Sequence, residues 1–253
     1  MIKKDILMVD LALYLRKHKT LIISDVHIGY EEALNKQGIL VPRFQFNDII
    51  KRVEGIFLLL KNEKLPIEKI ILAGDVKHEF GTISDEEWRN TLKFLDFLQK
   101  RCQNLTLIKG NHDKMLGPIA NRRDFQVVDH VDLGDVFICH GDKTPKIPAA
   151  VKMIIIGHEH PAVSISDGLR TEIYKCFLLG SWKSKQTGKI LKKKRDLVVL
   201  PSLNLVTEGT DVMKEELLSP FLWQDVGQFK VFVVSRPGEI LYFKKVNDIG
   251  RKS

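Results

Sequence analysis

Short apolar runs that end in polar side chains constrain the fold of this chain more than any other feature. Five of them lie in the first two-thirds, each bounded by glycine or polar residues, as is typical of buried strands. Apolar residues at helical spacing separate the first three runs, and the second of these stretches opens with Ser84 and Glu87 at the spacing of a capping box. Strands that alternate with helices predict an α/β fold with parallel pairing. The five runs are TLIIS (20–24), KIILAG (69–74), LTLIKG (105–110), DVFICHG (135–141) and KMIIIG (152–157).

The pattern changes after about residue 160, where strand-like runs follow one another with turns and almost no helical spacing. The sequence therefore predicts an α/β beginning and a β-rich C-terminal half. It contains no internal repeat, low-complexity tract or Pro/Ser-rich linker, so we expect one domain over residues 1–253 with a frayed tail at NDIGRKS.

Composition sets the class of protein. The hydrophobic share of 44% and the charged share of 28% are those of a soluble globular chain. The three cysteines cannot all pair with one another, which favours a reducing compartment. No apolar window approaches the about 20 residues of a membrane span, so we expect no membrane partner and a cytoplasmic location.

The positive charge is unevenly distributed. Most of the formal net charge of +8 arises after residue 140, where the chain contains 19 Lys+Arg and 12 Asp+Glu. The segment KSKQTGKILKKKR (183–195) has seven basic residues and no acid, and it resembles a hairpin between strands. Such a run predicts contact with a nucleic-acid backbone, and a solvated hairpin tip is an equally open alternative.

Histidines and carboxylates gather at the carboxyl ends of the five apolar runs. Six of the eight histidines lie there, and only His18 and His130 lie elsewhere. Since ligand sites of open α/β sheets lie beyond the carboxyl ends of the strands, we expect these side chains to meet in one site. They are Asp25, His27, Asp75, His78, Asn111, His112, Asp113, His140, His158 and His160.

The donor types indicate a metal centre. Aspartate, asparagine and histidine without cysteine suit Mn²⁺, Fe or Zn²⁺ rather than a thiolate structural zinc. Residues at i and i+2 of an extended segment share a side, so Asp25 and His27 are expected to reach one cation together. About seven donors exceed the needs of one tetrahedral ion and suit two ions roughly 3.5–4 Å apart. A single such motif is weak, because turns also use Gly, Asn and Asp, but five in order are jointly specific.

Five motifs spread over residues 20–160 resemble the signature blocks of the calcineurin-like metallophosphoesterases: SDVHIG, LAGDVKH, KGNHD, CHGD and GHEH. The resemblance implies a four-layer αββα sandwich of two mixed β-sheets with flanking helices. It also implies an enzyme with two divalent ions, of which Mn²⁺ is the expected one and Fe or Zn²⁺ the alternatives. One ion would take Asp25, His27 and His160, and the other Asn111, His140 and His158, with Asp75 bridging.

The same resemblance implies roles for residues around the metals. His112 would be the catalytic histidine that contacts the scissile phosphate, with Asp113 orienting its ring. His78 and Arg43 are candidate substrate-binding residues. For His78 a capping or structural role stays open, and for Arg43 an ordinary surface position.

The segments GDVKHEFG and HIGYEEALNKQGILVPR resemble a small DNA-processing branch of the family, whose members are associated with a DNA ligase or an Lhr-type helicase. This implies hydrolysis of phosphodiester bonds in DNA, as in a DNA-repair endonuclease or phosphodiesterase, with a functional link to such a ligase or helicase. One alternative is a phosphatase or phosphodiesterase of small nucleotides. Another is an inactive scaffold with the same fold, which the presence of His112 and every expected ligand disfavours.

Overall fold

The computed structural model describes residues 5–80, 83–113, 125–166, 169–183, 185–186, 189–190 and 194–249. Within these ranges no helix is long and apolar enough to cross a membrane.

The first sheet contains six strands in chain order, and it ends before residue 130. The first three strands pair antiparallel, and the third to sixth pair parallel, as the alternation of strands and helices predicts. The N-terminal hairpin is an element that the sequence patterns did not indicate. The strands are β1 (Ile6–Val9), β2 (Ala12–Leu15), β3 (Thr20–Ile23), β4 (Lys69–Ala73), β5 (Leu105–Ile108) and β6 (Gln126–Val128).

The second sheet contains nine strands and is formed by the chain after residue 129. The strands are β7 (His130–Asp132), β8 (Val136–Cys139), β9 (Met153–Ile156), β10 (Pro161–Ser166), β11 (Thr171–Trp182), β14 (Arg195–Val199), β15 (Thr210–Asp211), β16 (Lys230–Arg236) and β17 (Glu239–Lys245). The centre of the sheet pairs β8, β9 and β14 in parallel, and the long strand β11 pairs antiparallel with β10, β14 and β16. The short strands β12 (Lys185–Gln186) and β13 (Lys189–Ile190) form a separate two-stranded ladder within the basic segment.

The described part of the chain contains three α-helices, α1 (Tyr30–Lys36), α2 (Gln45–Asn62) and α3 (Asp85–Gln99), and a 3₁₀ turn at Val246–Asp248. Their apolar stripes, such as Ile56 of α2 and Leu95 of α3, belong to the same core cluster as the first sheet. Ser84 caps α3 by accepting the N–H of Glu87 at 3.1 Å. The predicted capping box is only half formed, because the Glu87 carboxylate instead accepts the N–H groups of His78 and Glu79.

Alternate residues of the second sheet point into two different cores. Ile155 and Val198 join the large cluster shared with the first sheet, whereas Ile154 and Leu197 belong to a second cluster. This second cluster includes Phe221 from the irregular segment between β15 and β16. The predicted pair of mixed sheets with a β-rich C-terminal half is confirmed. In the described residues, the cover on this outer face comes from that irregular segment and from Val246 of the 3₁₀ turn rather than from an α-helix.

The five apolar runs identified in the sequence are β3, β4, β5, β8 and β9. They do not form one open sheet: the first three lie in the first sheet and the last two in the second. The polar residues that follow them thus come together from the strand ends of two sheets.

Candidate metal centre

The loops that follow β3, β4 and β9 turn sharply through left-handed backbone. Asp25, His27, Asp75, His158 and His160 have φ values of 54°, 48°, 49°, 66° and 51°. Such values are uncommon outside glycine and cluster at functional sites, where the surrounding structure must hold them in place. The predicted geometry of an extended segment with i and i+2 on one side is therefore wrong. The pairs are brought into the site by tight turns instead.

One cluster of donors joins Asp25, His27 and His160, whose ligand atoms all lie within 4.8 Å of one another. Nε2 of His27 lies 3.3 Å from Nε2 of His160, and the latter lies 3.3 Å from Oδ1 of Asp25. This is the set that the family resemblance implies for one ion.

A second cluster joins Asp75, His140 and His158 within the same 4.8 Å limit. Nε2 of His140 lies 3.2 Å from Oδ2 of Asp75 and 3.2 Å from Nδ1 of His158. Oδ1 of Asn111 lies 3.0 Å from the same nitrogen of His140. All four donors expected around the other ion are therefore neighbours.

Asp75 lies between the two clusters. Its Oδ2 is 3.2 Å from Nε2 of His140 in one cluster and 3.8 Å from Nε2 of His27 in the other. A carboxylate in this position can reach two cations at once, which is the arrangement expected of a bridging ligand.

Burial sets the charges of the site. It lowers the pKa of His27 well below its usual value and also lowers that of His158. For Asp25, burial acts to raise the pKa, but attraction from His160 and His140 and a hydrogen bond from Ser24 hold it at about 2. For His140, burial acts to lower the pKa, but hydrogen bonding to Asp75 and attraction from Asp25 raise it to about 9. His27, His158 and Asp25 are thus already in the neutral and ionised forms that bind metal ions, whereas a metal ion would displace a proton from His140.

The donor set fits divalent ions. Oδ1 of Asp25 is buried without a hydrogen-bond partner among the described residues. Several imidazole nitrogens face one another across little more than 3 Å, where neutral rings cannot all satisfy each other's lone pairs. The thiols take no part, because the three free cysteines are buried elsewhere in the fold. Oxygen and imidazole donors of this kind suit Mn²⁺, Fe or Zn²⁺.

His112 lies at the edge of the two clusters. Its Nδ1 contacts the carbonyl oxygen of His78, which can only accept, so this nitrogen carries a proton. Its Nε2 therefore faces the site, 4.0 Å from Oδ2 of Asp75. The exposed ring of Phe80 packs on His112 with the ring centroids 3.6 Å apart.

His78 lies beside a ligand. Its Nδ1 is 3.3 Å from Nδ1 of His27, the ring nitrogen of His27 that points away from His160. The ring of Tyr30 packs against His78 with the centroids 4.4 Å apart. In this position His78 can hold the His27 ring in orientation, and the substrate contact suggested by the sequence stays a prediction.

Asp113 does not orient the His112 ring as expected. Its buried carboxylate accepts the backbone N–H groups of Val76 at 3.1 Å and Gly110 at 3.0 Å. It thereby ties the loop after β4 to the loop after β5. Burial and the nearby charge of Asp75 raise the pKa of Asp113 to about 6.

Comparison with known proteins assigns the family. The calcineurin-like phosphoesterase family matches residues 18–222, which is well over half of the chain. The chain belongs to this family. It is accordingly a metal-dependent phosphoesterase, and the donor clusters described above are its candidate metal centre.

Solved structures share the architecture of this phosphoesterase. The nuclease MPE of Pseudomonas putida aligns with a TM-score of 0.59 at 21% identity, over 93% of this chain and 94% of that chain. The phosphoesterase Yfce of E. coli aligns with a TM-score of 0.39 at 11% identity, over 90% of this chain and 99% of that chain. The first likeness supports the fold. No curated protein matches the phosphoesterase in sequence.

Arg43 lies outside the two donor clusters. Its side chain is 60% exposed and forms an ion pair of 2.8 Å with Glu86. Glu86 belongs to the first turn of α3, so the pair links the segment before α2 to the start of α3. The structure gives Arg43 no contact with a ligand residue among its described partners.

The basic segment of the phosphoesterase is described only in part. Lys192 and Lys193, which the sequence suggested as phosphate contacts, lie outside the described residues. Arg195 is only 7% exposed, and its guanidinium donates to the carbonyl oxygens of Val151 and Pro148 at 3.3 Å. This arginine thus stabilises the fold, and Lys183 and Lys194 are the exposed members of the run that are described.

Sequence reasoning missed a group of residues that hold the first metal loop. The N–H of Asn204 and the hydroxyl of Ser202 both donate to the carbonyl oxygen of Asp25 at 3.0 Å. Gln45 donates to the carbonyl oxygen of His27 at 3.0 Å and to Oδ1 of Asn204 at 3.1 Å. The only sequence signal was the polar SLN that follows β14, another strand end.

Two glycines permit the close packing of the ligand loops. A Cβ on Gly157 would lie 1.8 Å from Oγ of Ser24 and 2.4 Å from Oδ2 of Asp25. A Cβ on Gly110 would lie 2.0 Å from Oδ1 of Asp75. Only glycine lets the backbone approach these carboxylates so closely.

Proposed function

We propose that this phosphoesterase hydrolyses phosphodiester bonds in nucleic acid, as an endonuclease or phosphodiesterase of the DNA-repair type that uses two Mn²⁺ ions. The observation that carries the proposal is the pair of donor clusters that share Asp75, with Nε2 of His112 at their edge. The positive charge of the chain after residue 140 supports a polyanionic substrate.

The residues of the chain have separate tasks in this reaction. Asp25, His27 and His160 would hold one ion, and Asn111, His140 and His158 the other, with Asp75 reaching both. When bound, two such ions stabilise charge on phosphoryl oxygens and supply a nucleophile at neutral pH.

His112 acts on the phosphate or on the leaving oxygen. The carbonyl oxygen of His78 holds the Nδ1 proton, so a second proton would reside on Nε2, the atom that faces the site. From there it can stabilise negative charge or protonate the leaving oxygen, which is typically worth about 10²–10⁴-fold in rate.

The wider setting of the reaction rests on the family resemblance and on the thiols. A functional link to a DNA ligase or an Lhr-type helicase is part of the proposal. The P. putida structure is described as a nuclease, which agrees with this class of substrate. Three free, buried cysteines agree with the proposed cytoplasmic location, where thiols stay reduced.

One panel of substrates tests the proposal. The parent protein with Mn²⁺ is assayed on an aryl phosphodiester, an aryl phosphomonoester, a small cyclic nucleotide, and linear and circular single-stranded DNA. We expect hydrolysis of the aryl diester and nicking of the circle, both abolished by EDTA. Cleavage of nucleotides or monoesters without DNA would favour the small-molecule alternative. Metal binding without hydrolysis of any substrate would favour the scaffold.

A further inference from the structure

A cavity of about 880 Å³ lies beside the second sheet, apart from the metal ligands. Its walls come from four places: the loop 144–149 after β8, Trp182 and Lys183 at the end of β11, Arg195 at the start of β14, and the segment 220–224. None of these residues is used in the proposed chemistry.

Trp223 forms an exposed aromatic surface in this cavity. It is 68% exposed, yet its Nε1 donates to the carbonyl oxygen of Leu217 at 3.1 Å, which anchors the indole. The next residue, Gln224, accepts the N–H of Lys183 at 3.2 Å and so ties the start of the basic segment to the Trp223 turn. An anchored indole with an open surface suits stacking by another flat ring.

The charge of the cavity is positive. Lys146 and Lys183 line it with exposed side chains, and no carboxylate is found among the described residues of its walls. Arg195 adds a buried positive charge to the wall itself, with its guanidinium 5.9 Å from the centre of the Trp182 ring. Aromatic rings beside lysines in an acid-free groove are the usual composition of sites for single-stranded nucleic acid.

One side of the cavity adjoins the metal loops, through the residue that precedes Pro220 of its wall. The hydroxyl of Ser219 donates to the carbonyl oxygen of Gly141 at 2.8 Å, and its N–H donates to Oε2 of Glu159 at 2.8 Å. Glu159 lies between the ligands His158 and His160, and Gly141 follows the ligand His140. Thr144, on the cavity wall, is four residues from His140, so their Cα atoms are at most about 14 Å apart.

We propose that this cavity, the Trp223 pocket, binds a single-stranded part of the nucleic-acid substrate outside the scissile phosphate. A base stacks on Trp223, and backbone phosphates lie against Lys146 and Lys183. Trp182 pairs with Arg195 at the start of β14, and β14 runs parallel to β9, so Lys183 lies at the edge of the sheet opposite the ligands that follow β9. A strand held here would therefore run along the length of these β-strands, at about 3.3 Å per residue, to reach the metal centre. The inference rests on the proposed nucleic-acid substrate and adds the site that recognises the strand.

Binding measured without cleavage tests the pocket by itself. A labelled oligothymidylate of about 12 nucleotides, within the known range of single-strand site sizes, is titrated in EDTA by fluorescence anisotropy. Trp223→Ala should weaken binding about 5- to 150-fold, the effect of losing one stacked base, and Trp223→Phe should recover part of it. The double variant Lys146→Ala/Lys183→Ala should reduce the salt slope by about 0.7 for each lysine.

Matched controls separate the pocket from general surface effects. Tyr242→Ala removes another exposed aromatic residue, and Lys51→Ala another exposed lysine, on β17 and α2. Both should bind the oligomer like the parent. All variants should retain the hydrolysis of the aryl phosphodiester with Mn²⁺, because that substrate reaches only the metals and His112.

The outcomes distinguish this inference from the proposed function. If the parent cleaves DNA and Trp223→Ala binds the oligomer as tightly as the parent, the pocket is refuted and the function stands. If the parent hydrolyses the aryl diester but binds no DNA, the pocket and the nucleic-acid substrate both fail. A third outcome is that poly-glutamate displaces the oligomer and Trp223→Ala does not weaken its binding. The oligomer would then bind through nonspecific charge attraction alone, and the pocket would also be refuted.

Discussion

Nε2 of His27 lies 3.3 Å from Nε2 of His160, although 133 residues separate the two histidines in the chain. His27 follows a strand of the first sheet and His160 a strand of the second. The distance is too long for a strong hydrogen bond and suits two ligands that face one cation, with Asp25 as the third. The two sheets thus meet through donor atoms at their strand ends.

Asp75→Asn tests the shared carboxylate. Asparagine can still accept the N–H of His112, which now donates to Oδ1 at 2.9 Å, but it loses the charge between the clusters. We expect a lower content of both metals and a loss of turnover larger than the about 10–100-fold typical of residues that only support a ligand. Metal analysis and the aryl diester assay measure this. Asp48→Asn, at an exposed carboxylate of α2, is the control and should leave both unchanged.

His112→Ala should keep the metals and lose about 10²–10⁴-fold in turnover, since the residue acts in proton transfer or charge stabilisation. Metal content and kcat on the aryl diester are compared with those of the parent. Stoichiometric loss of metal in this variant would instead make His112 a ligand.

His78→Ala tests whether this residue orients His27. Because Nδ1 of His78 lies 3.3 Å from Nδ1 of His27, we expect metal affinity to fall about 10–100-fold, with turnover recovering at saturating Mn²⁺. Tyr30→Phe preserves the ring that packs on His78 and is the matched control. Turnover that stays low at saturating Mn²⁺, with unchanged metal affinity, would assign His78 to the substrate phosphate.

Gly157→Ala and Gly55→Ala should change stability in opposite directions. The added Cβ at Gly157 meets Ser24 and Asp25, and such overpacking costs about 1–3 kcal/mol. At Gly55, within α2, a Cβ would meet nothing within 4 Å, so alanine should add about 0.5–1 kcal/mol of helix stability. Urea denaturation with EDTA measures both, and a neutral effect of Gly157→Ala would show that its loops can separate.

Glu159→Gln should stabilise the metal-free protein at high pH. Burial raises the pKa of Glu159 to about 7, against about 4.3 for an unperturbed glutamate. The folded state therefore binds the proton more tightly, and stability from this group is full below about pH 4.3 and is lost as the pH rises through about 7. Glutamine can still accept the N–H of Ser219 but never carries the buried charge. In EDTA, we expect a higher Tm than the parent at pH 8 and a clearly smaller gain at pH 5, where only part of the stability has been lost; an equal difference at both pH values would contradict the titration.

The sequence predicted the residues of the site more accurately than the sheet topology of the strands that carry them. The apolar runs became strands because each contains four or five mostly buried residues rich in isoleucine, leucine and valine, as in Ile154 and Ile155 of β9, and such a run determines its own local structure. The metal donors were predicted as well, because each lies within a few residues of a strand end, although the tight turns that orient them were not. The sheet that each strand joins depends on distant pairing, so the division of the five runs between two sheets could not be read from local patterns.

The predicted hydrogen bonds were wrong where a carboxylate could accept protons from several different donors. The carboxylate of Asp113 was expected to orient the ring of His112, but it accepts the backbone N–H groups of Val76 and Gly110 instead. The carboxylate of Glu87 similarly does not cap its own helix, because it accepts the N–H groups of His78 and Glu79. Tertiary placement decides such contacts, and sequence spacing does not.

The division of the two sheets at residue 129 has a consequence for the assembly of the chain. The half before it supplies Asp25, His27, Asp75 and Asn111, and the half after it supplies His140, His158 and His160. A polypeptide cut at this point would leave each fragment with an incomplete half-site. A cation that is bound by ligands from both halves binds only when the two halves are associated. Its binding therefore stabilises their association by mass action.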